Sequence, residues 1–217
     1  MIYSLLSLMT KHKAKAPKST FGKVWHFIWH DDSWLSWIVN IIIAFVLIKF
    51  IIYPVIGFIF GTGFPVVAVI SDSMEHDGSF NDWWGTQSDY YGTEGISYDQ
   101  FKEEFSFRNG FNRGDIMILF GGNFSKINLG DVIVFTSSRP YPIIHRVIDI
   151  HDDKEQRIVE TKGDHNADQI VAIGLDESNI DKSEYLGKAV LRIPYVGFVK
   201  IWFAELMSFI GLGAVFV

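Results

Sequence analysis

The chain has 217 residues, of which 48% are hydrophobic and 16% aromatic, with a mean hydropathy of +0.18. That is room for one folded domain plus membrane segments, and more apolar than a fully soluble protein of this size. Nineteen Lys and Arg against 25 Asp and Glu leave a net charge of -6, which argues against nucleic-acid binding, and the lack of cysteine excludes disulfides, zinc–thiolate sites and thiol catalysis.

Residues 1–10 are mildly apolar, but no positive charge precedes them and no small-residue cleavage site follows, so they do not read as a signal peptide. Lys11, Lys13, Lys15, Lys18 and Lys23 crowd the next stretch. Residues 1–33 are therefore expected to form a Lys-rich cytoplasmic segment, held inside by the positive-inside rule. Trp34–Tyr53 matches the ~20 residues of a spanning helix. Trp34, Trp37 and Tyr53 stand near its ends as interfacial aromatics do. Its one charge is Lys49, costly by roughly 3 kcal/mol at a bilayer centre, but expected one turn from the helix end, where it can snorkel outward. A buried helix of a soluble protein is the alternative for this stretch. Pro54, Gly57, Gly61, Gly63 and Pro65 are expected to end the helix, so that residues 54–195 form an extracytoplasmic domain.

That domain opens with an apolar, β-branched run from Phe64 that stops at Ser71-Asp72-Ser73-Met74. The run reads as a strand, and serines at its end are rigidly held yet open to a substrate. Residues 78–110, rich in aromatics, Gly, Asp and Ser, read as an irregular surface insertion with one short helix at Tyr98–Phe105. Two Gly-Asp turns follow, at Gly114-Asp115 and Gly130-Asp131; each feeds an apolar strand, and the carboxylates are expected to bond turn amides. Further strands are expected over 141–148, 157–162 and 186–193, with the polar turn Gly163–Asp168 between the last two. Many short strands separated by turn signals predict a mainly β fold. Residues 196–217 are apolar apart from Lys200 and Glu205 and are expected to form a second membrane segment.

A serine needs a base to act as a nucleophile near neutral pH. His12, His26 and His30 fall on the cytoplasmic side or at its interface. His145 sits in a strand, flanked by Ile143, Ile144 and Val147, which suits a rigidly held base; an isolated strand histidine is also a common core residue. His76 and His165 are the other bases within plausible reach of Ser73. Asp164 and Asp168 are the candidates for the group that orients the imidazole. No cofactor and no metal are expected.

Four motifs in this order, Ser71-Asp72-Ser73-Met74, Leu129–Phe135, Ile144–Ile148 and Thr161–Asn166, resemble those of type I signal peptidases, over roughly Trp34 to Tyr195. A histidine at position 145, where the bacterial branch carries lysine, is similar to the archaeal and endoplasmic-reticulum branch. The resemblance implies an antiparallel β peptidase domain behind a membrane anchor. It implies Ser73 as nucleophile, His145 as general base and Ser71 with the Ser73 amide as oxyanion donors. Asp168, ahead of Asp164, would be the orienting carboxylate, although Asp168 follows Asp164 by only four residues where the family spaces its aspartates by about six. The implied activity is removal of signal peptides from exported preproteins, after small residues, at the outer face of the cell membrane. The lipid bilayer, the signal peptides and the protein-export translocon would be partners, with no nucleic acid. The rival reading is a non-catalytic, membrane-anchored β domain that binds preproteins or a translocon partner; an enzyme of the same chemistry with a narrow substrate is a further alternative.

Overall fold

The computed structural model describes residues 19–153 and 156–209, so Lys11, Lys13, Lys15, Lys18 and residues 210–217 lie outside the described part. The chain divides into two compact units, 1–53 and 54–217.

In the first unit, α1 (Thr20–His30) and α2 (Trp34–Leu47) are joined by a three-residue elbow. Ser33 caps α2 by accepting the Ser36 amide at 3.2 Å. A π-helical stretch at Ile48–Ile52 and then α3 (Tyr53–Phe60) carry the helix on, giving a continuous apolar helix from Trp34 to Phe60. Pro54 therefore does not end the helix where the sequence reading placed its end. Proline removes one backbone donor and crowds the carbonyl four residues back. The wider π-turn just before it relieves both. Lys49 consequently lies eleven residues from the helix end, rather than one turn. Its ammonium rests 5.6 Å from the ring centres of both Phe45 and Phe50. Among the described residues, Trp34–Phe60 is the one helix long and apolar enough to cross a membrane.

The second unit takes over the last turns of that helix. Gly61 N–H donates to Phe58 O and Thr62 N–H to Gly57 O, the paired bonds of a Schellman cap. The capped end is then fastened to the sheet. Gly121 N–H donates to Phe60 O at 2.8 Å, and Thr62 Oγ1 donates to Leu186 O at 2.7 Å. Four residues on, β1 (Val66–Ala68) begins.

The sheet comprises β1, β2 (Ile116–Phe120), β3 (Val132–Phe135), β4 (Ile143–Asp153), β5 (Gln156–Lys162) and β8 (Tyr185–Ile193). Its order is β1-β2-β8-β3-β4-β5, antiparallel throughout. A separate two-stranded hairpin, β6 (Val171–Ala172) and β7 (Leu175–Asp176), follows β5. Both Gly-Asp turns form as expected: Asp115 Oδ2 accepts the Asn112 amide and Asp131 Oδ2 the Asn128 amide, each at 2.9 Å. Both carboxylates also pair with β8, Asp115 with Arg192 and Asp131 with Lys188, which ties the two turns to one strand.

β3 is buried on both faces, as its unbroken apolar run requires. Val132 and Val134 join Val69, Met74, Met117 and Leu119 on one side, while Ile133 and Phe135 join Val147, Val159, Leu175 and Ile180 on the other. The mainly β expectation thus holds. The insertion is more regular than expected, with two helices, α4 (Phe80–Thr93) and α5 (Tyr98–Glu104). α4 starts at a full capping box, Ser79 with Asp82, and buries Trp83, Gln87 and Tyr91 at i, i+4 and i+8. At the C-terminus α6 (Phe198–Phe209) is described for 12 residues, too few to span a bilayer alone.

The fastening of the helix end yields a stability prediction. A methyl group on Gly121 would meet Gly61 O at 1.9 Å. Gly121→Ala should therefore destabilise the protein by about 1–3 kcal/mol, read as a lower midpoint of thermal unfolding. An unchanged midpoint would mean that the helix end moves freely relative to the sheet.

Candidate active site

The site is assembled from the loop after β1, the middle of β4, the turn after β5 and the segment after β7. Each part is positioned by its strand. In the β3–β4 ladder His145 pairs with Ile133 and Arg146 with Val132, so the two neighbours on β4 point to opposite faces of the sheet.

On one face, His145 is buried and its Nδ1 hydrogen-bonds Glu177 Oε1. Glu177 is itself fully buried. Its Oε1 also accepts from Thr161 Oγ1 at 3.0 Å, and its Oε2 accepts the Ile170 amide at 2.8 Å. An ionised carboxylate only accepts, so Nδ1 is the donor of this bond, and in a neutral imidazole the lone pair is then on Nε2. That lone pair looks out over Gly163. A methyl group placed on Gly163 would lie 2.9 Å from His145 Nε2, 2.8 Å from Ser73 O and 2.7 Å from Asn166 Nδ2. Only a residue without a side chain lets these three groups converge. Ser73 is half-buried and is held by a bond from the His165 amide to its carbonyl at 2.9 Å. Ser71 Oγ lies 3.2 Å from Ser73 Oγ. Asn166 Nδ2 is buried and has no hydrogen-bond partner among the described residues.

On the other face, fully buried Arg146 donates to both oxygens of Asp164, at 2.8 and 2.7 Å, and to the carbonyls of Ser106, Gly130 and Phe107. Its guanidinium lies 4.6 Å from the centre of the Phe101 ring. Asp164 also accepts from Tyr91 OH at 3.0 Å and meets His76 Nε2 at 2.9 Å. Burial alone would raise the Asp164 pKa, but the Arg146 charge and the His76 hydrogen bond outweigh it and hold the carboxyl well below the usual range. The insertion grips this turn through the buried stripe of α4. Trp83 Nε1 donates to Asp164 O, Lys162 Nζ donates to Gln87 Oε1, Tyr91 reaches Asp164, and the His76 ring stacks on Trp83 at 3.6 Å. Lys162 is buried here beside the rings of Tyr90 and Tyr91, and burial pushes its pKa down to about 8.

Of the residues singled out from the sequence, Ser71, Ser73 and His145 thus lie together. Neither aspartate touches His145. Asp164 belongs to Arg146, and the imidazole it meets is that of His76; Asp168 is exposed and makes no hydrogen bond or ion pair among the described residues. The short turn after Asp164 leaves Asp168 in solvent. The carboxylate on His145 arrives instead from beyond the β6–β7 hairpin. Glu177 had a weak sequence signal, as an acid inside the Leu175–Ile180 stretch, whose outer residues are both buried. Among the described residues, Asp149, His151 and Glu160 offer three atoms close enough together for a metal ion, but they sit in the outer part of the β4–β5 ladder and touch neither Ser73 nor His145.

An antiparallel β domain that follows an apolar helix, with the Ser73 backbone meeting a carboxylate-backed strand histidine at Gly163, fits a serine endopeptidase of the type I signal peptidase class. No protein-family model matches the chain. It is 34% identical over 115 residues to the signal peptidase complex catalytic subunit SEC11 of Zygosaccharomyces rouxii, covering 48% of this chain and 68% of that protein. It is 29% identical over 166 residues to the sec11 subunit of Schizosaccharomyces pombe, covering 74% and 79%, and 33% identical over 114 residues to that of Clavispora lusitaniae, covering 48% and 68%. The chain belongs to this family, the endoplasmic-reticulum-type branch of type I signal peptidases.

The Arg146–Asp164 pair yields a second prediction. Removing one partner leaves an uncompensated buried charge, so Asp164→Ala should cost about 3–5 kcal/mol. Because the folded pKa of Asp164 is depressed, its stabilisation is complete above the unfolded value of about 4 and is lost as pH falls below it. Thermal unfolding of wild type should therefore shift to lower temperature on acidification below about pH 4, and Asp164→Asn should flatten that dependence. Identical acid profiles would show that Asp164 is not ionised in the fold.

Proposed function

We propose that this chain removes N-terminal signal peptides from exported preproteins, as the proteolytic subunit of a membrane-bound complex. The observation that carries the reading is the convergence of the Ser73 carbonyl and His145 Nε2 over Gly163, which brings residue 73 beside an imidazole whose Nδ1 is held by buried Glu177. In this reading Ser73 Oγ attacks the scissile carbonyl and passes its proton to His145 Nε2. Glu177 stabilises the imidazolium that forms. The same proton then goes to the leaving amine, and water, activated by His145, hydrolyses the acyl-enzyme. The Ser73 amide and the Ser71 hydroxyl hold the oxyanion, each worth roughly 3 kcal/mol in the transition state. Glu177, rather than Asp168 or Asp164, is the orienting carboxylate; Asp164 holds the turn.

β1 ends the sheet order, so one of its edges is unpaired among the described residues. An extended cleavage segment can add there as a strand, with shallow pockets admitting only small side chains. A preprotein's apolar segment would lie in the bilayer spanned by Trp34–Phe60, leaving the cleavage site at the membrane surface beside Ser73. The Lys-rich residues before the span would stay on the cytoplasmic side, with the peptidase domain opposite. Other subunits of the complex and the translocon are the fitting protein partners.

The test is cleavage of a model preprotein in detergent. Ser73→Ala and His145→Ala should abolish turnover to a similar extent, because the pair acts as a unit. Glu177→Gln should lower kcat by on the order of 10⁴ with KM little changed, since the carboxylate orients the base and does not touch substrate. Asp168→Ala should stay close to wild type. A large loss in Asp168→Ala with near-normal rates in Glu177→Gln would return the orienting role to Asp168.

A further inference from the structure

The helix ahead of the span has two different rows. Phe21, Trp25 and Trp29, spaced by four, follow one another along α1 with ring centres 6.4 and 5.7 Å apart. They are 79%, 53% and 66% exposed, and Val24 beside them is 53% exposed. The opposite row is Lys23, His26 and His30, with the two imidazoles stacked at 5.4 Å. Rings of this size are normally placed against something.

The join to α2 indicates what that is. The last-turn carbonyls of a helix have no intrahelical partner and usually turn to water. Here α2 supplies the donors instead: Ser36 Oγ donates to Phe27 O at 2.6 Å, and Asn40 Nδ2 donates to Ile28 O at 2.9 Å. Ser36 is fully buried in this contact. Satisfying these carbonyls with protein donors suits a place where water is scarce. Ser36 and Asn40 are the third and seventh residues of α2, about 3 and 9 Å along it at 1.5 Å per residue. The end of α1 is therefore level with the first two turns of the spanning helix. Interfacial helices sit at that level, their apolar face buried by ~5–10 Å.

We infer that α1 lies in the membrane interface, with Phe21, Trp25 and Trp29 at the boundary between headgroups and acyl chains and with Lys23, His26 and His30 toward the headgroup phosphates. Tryptophan favours that boundary, and a basic row opposite an aromatic one fits anionic headgroups. Three rings on an 11-residue helix offer less surface than the ~1,000 Å² expected of a stable protein interface, and they are continuous with a segment that itself enters lipid. The inference rests on Trp34–Phe60 spanning a bilayer.

The chain has no cysteine, so single-cysteine spin labels report one position each. The full chain is reconstituted in phosphatidylcholine vesicles containing a minor fraction of phosphatidylglycerol. Labels are placed by Phe21→Cys, Trp25→Cys, Trp29→Cys, Lys23→Cys, His26→Cys and His30→Cys, with Ile41→Cys and Phe45→Cys in α2 as references. Collision with oxygen, which concentrates in lipid, is compared with collision with a water-soluble nickel chelate. The ratio should be several-fold higher at 21, 25 and 29 than at 23, 26 and 30, with helical periodicity. Equal ratios in both rows overturn the inference, and so does protection of the aromatic row from both reagents, which marks a protein contact with a second copy or another subunit. If the references at 41 and 45 are themselves nickel-accessible, it is the spanning helix that fails.

Discussion

The buried pair of Arg146 and Asp164 is the constraint on which the rest of the peptidase domain depends. A guanidinium removed from water must have every donor satisfied, and Arg146 meets that demand by drawing in carbonyls from Ser106, Phe107 and Gly130 as well as Asp164. Those partners come from the end of the insertion, the second Gly-Asp turn and the turn after β5. One side chain thereby fixes three loops against one strand. The stripe of α4 then closes over the carboxylate, so the insertion acts as the back wall of the site rather than as a surface excursion.

The adjacent residue uses the same strand differently. His145 and Arg146 share β4 but face opposite ways, so the immobility imposed by the ion pair on one face reaches the imidazole on the other without any shared contact. Each has its own carboxylate. This separation keeps the Arg146–Asp164 pair on the far side of the strand, and among the described acids Glu177 alone meets the imidazole.

How much of this was legible in the sequence depends on how local the information was. The start of the apolar helix, the two Gly-Asp turns and the strand carrying His145 are encoded by neighbours in the chain, and all are found where those neighbours place them. The helix end was misplaced because Pro54 punctuates only when the preceding turns are α-helical, and a π-turn is invisible to hydropathy. α4 was missed because Gly85, Gly92 and several Asp and Ser residues lower its propensity; the capping box at Ser79 and the stripe Trp83, Gln87, Tyr91 were the signals that could have revealed it. The carboxylate at His145 was illegible for a different reason. Which acid meets which histidine is set by how a hairpin docks 32 residues away, and no spacing rule carries that. The aspartates of the polar turn have the right chemistry and the wrong neighbours.

The position of Glu177 has one more consequence. It is delivered by a segment that bonds β5 at Val159 and Thr161 and buries Leu175 and Ile180 against the core residues of β3, β4 and β5. On the proposed assignment, a chain in which that segment has not packed against the sheet lacks the carboxylate that orients His145 and is inert. The packing of Leu175 and Ile180 that completes the core thus also completes the catalytic apparatus, so that peptide cleavage is confined to the finished domain.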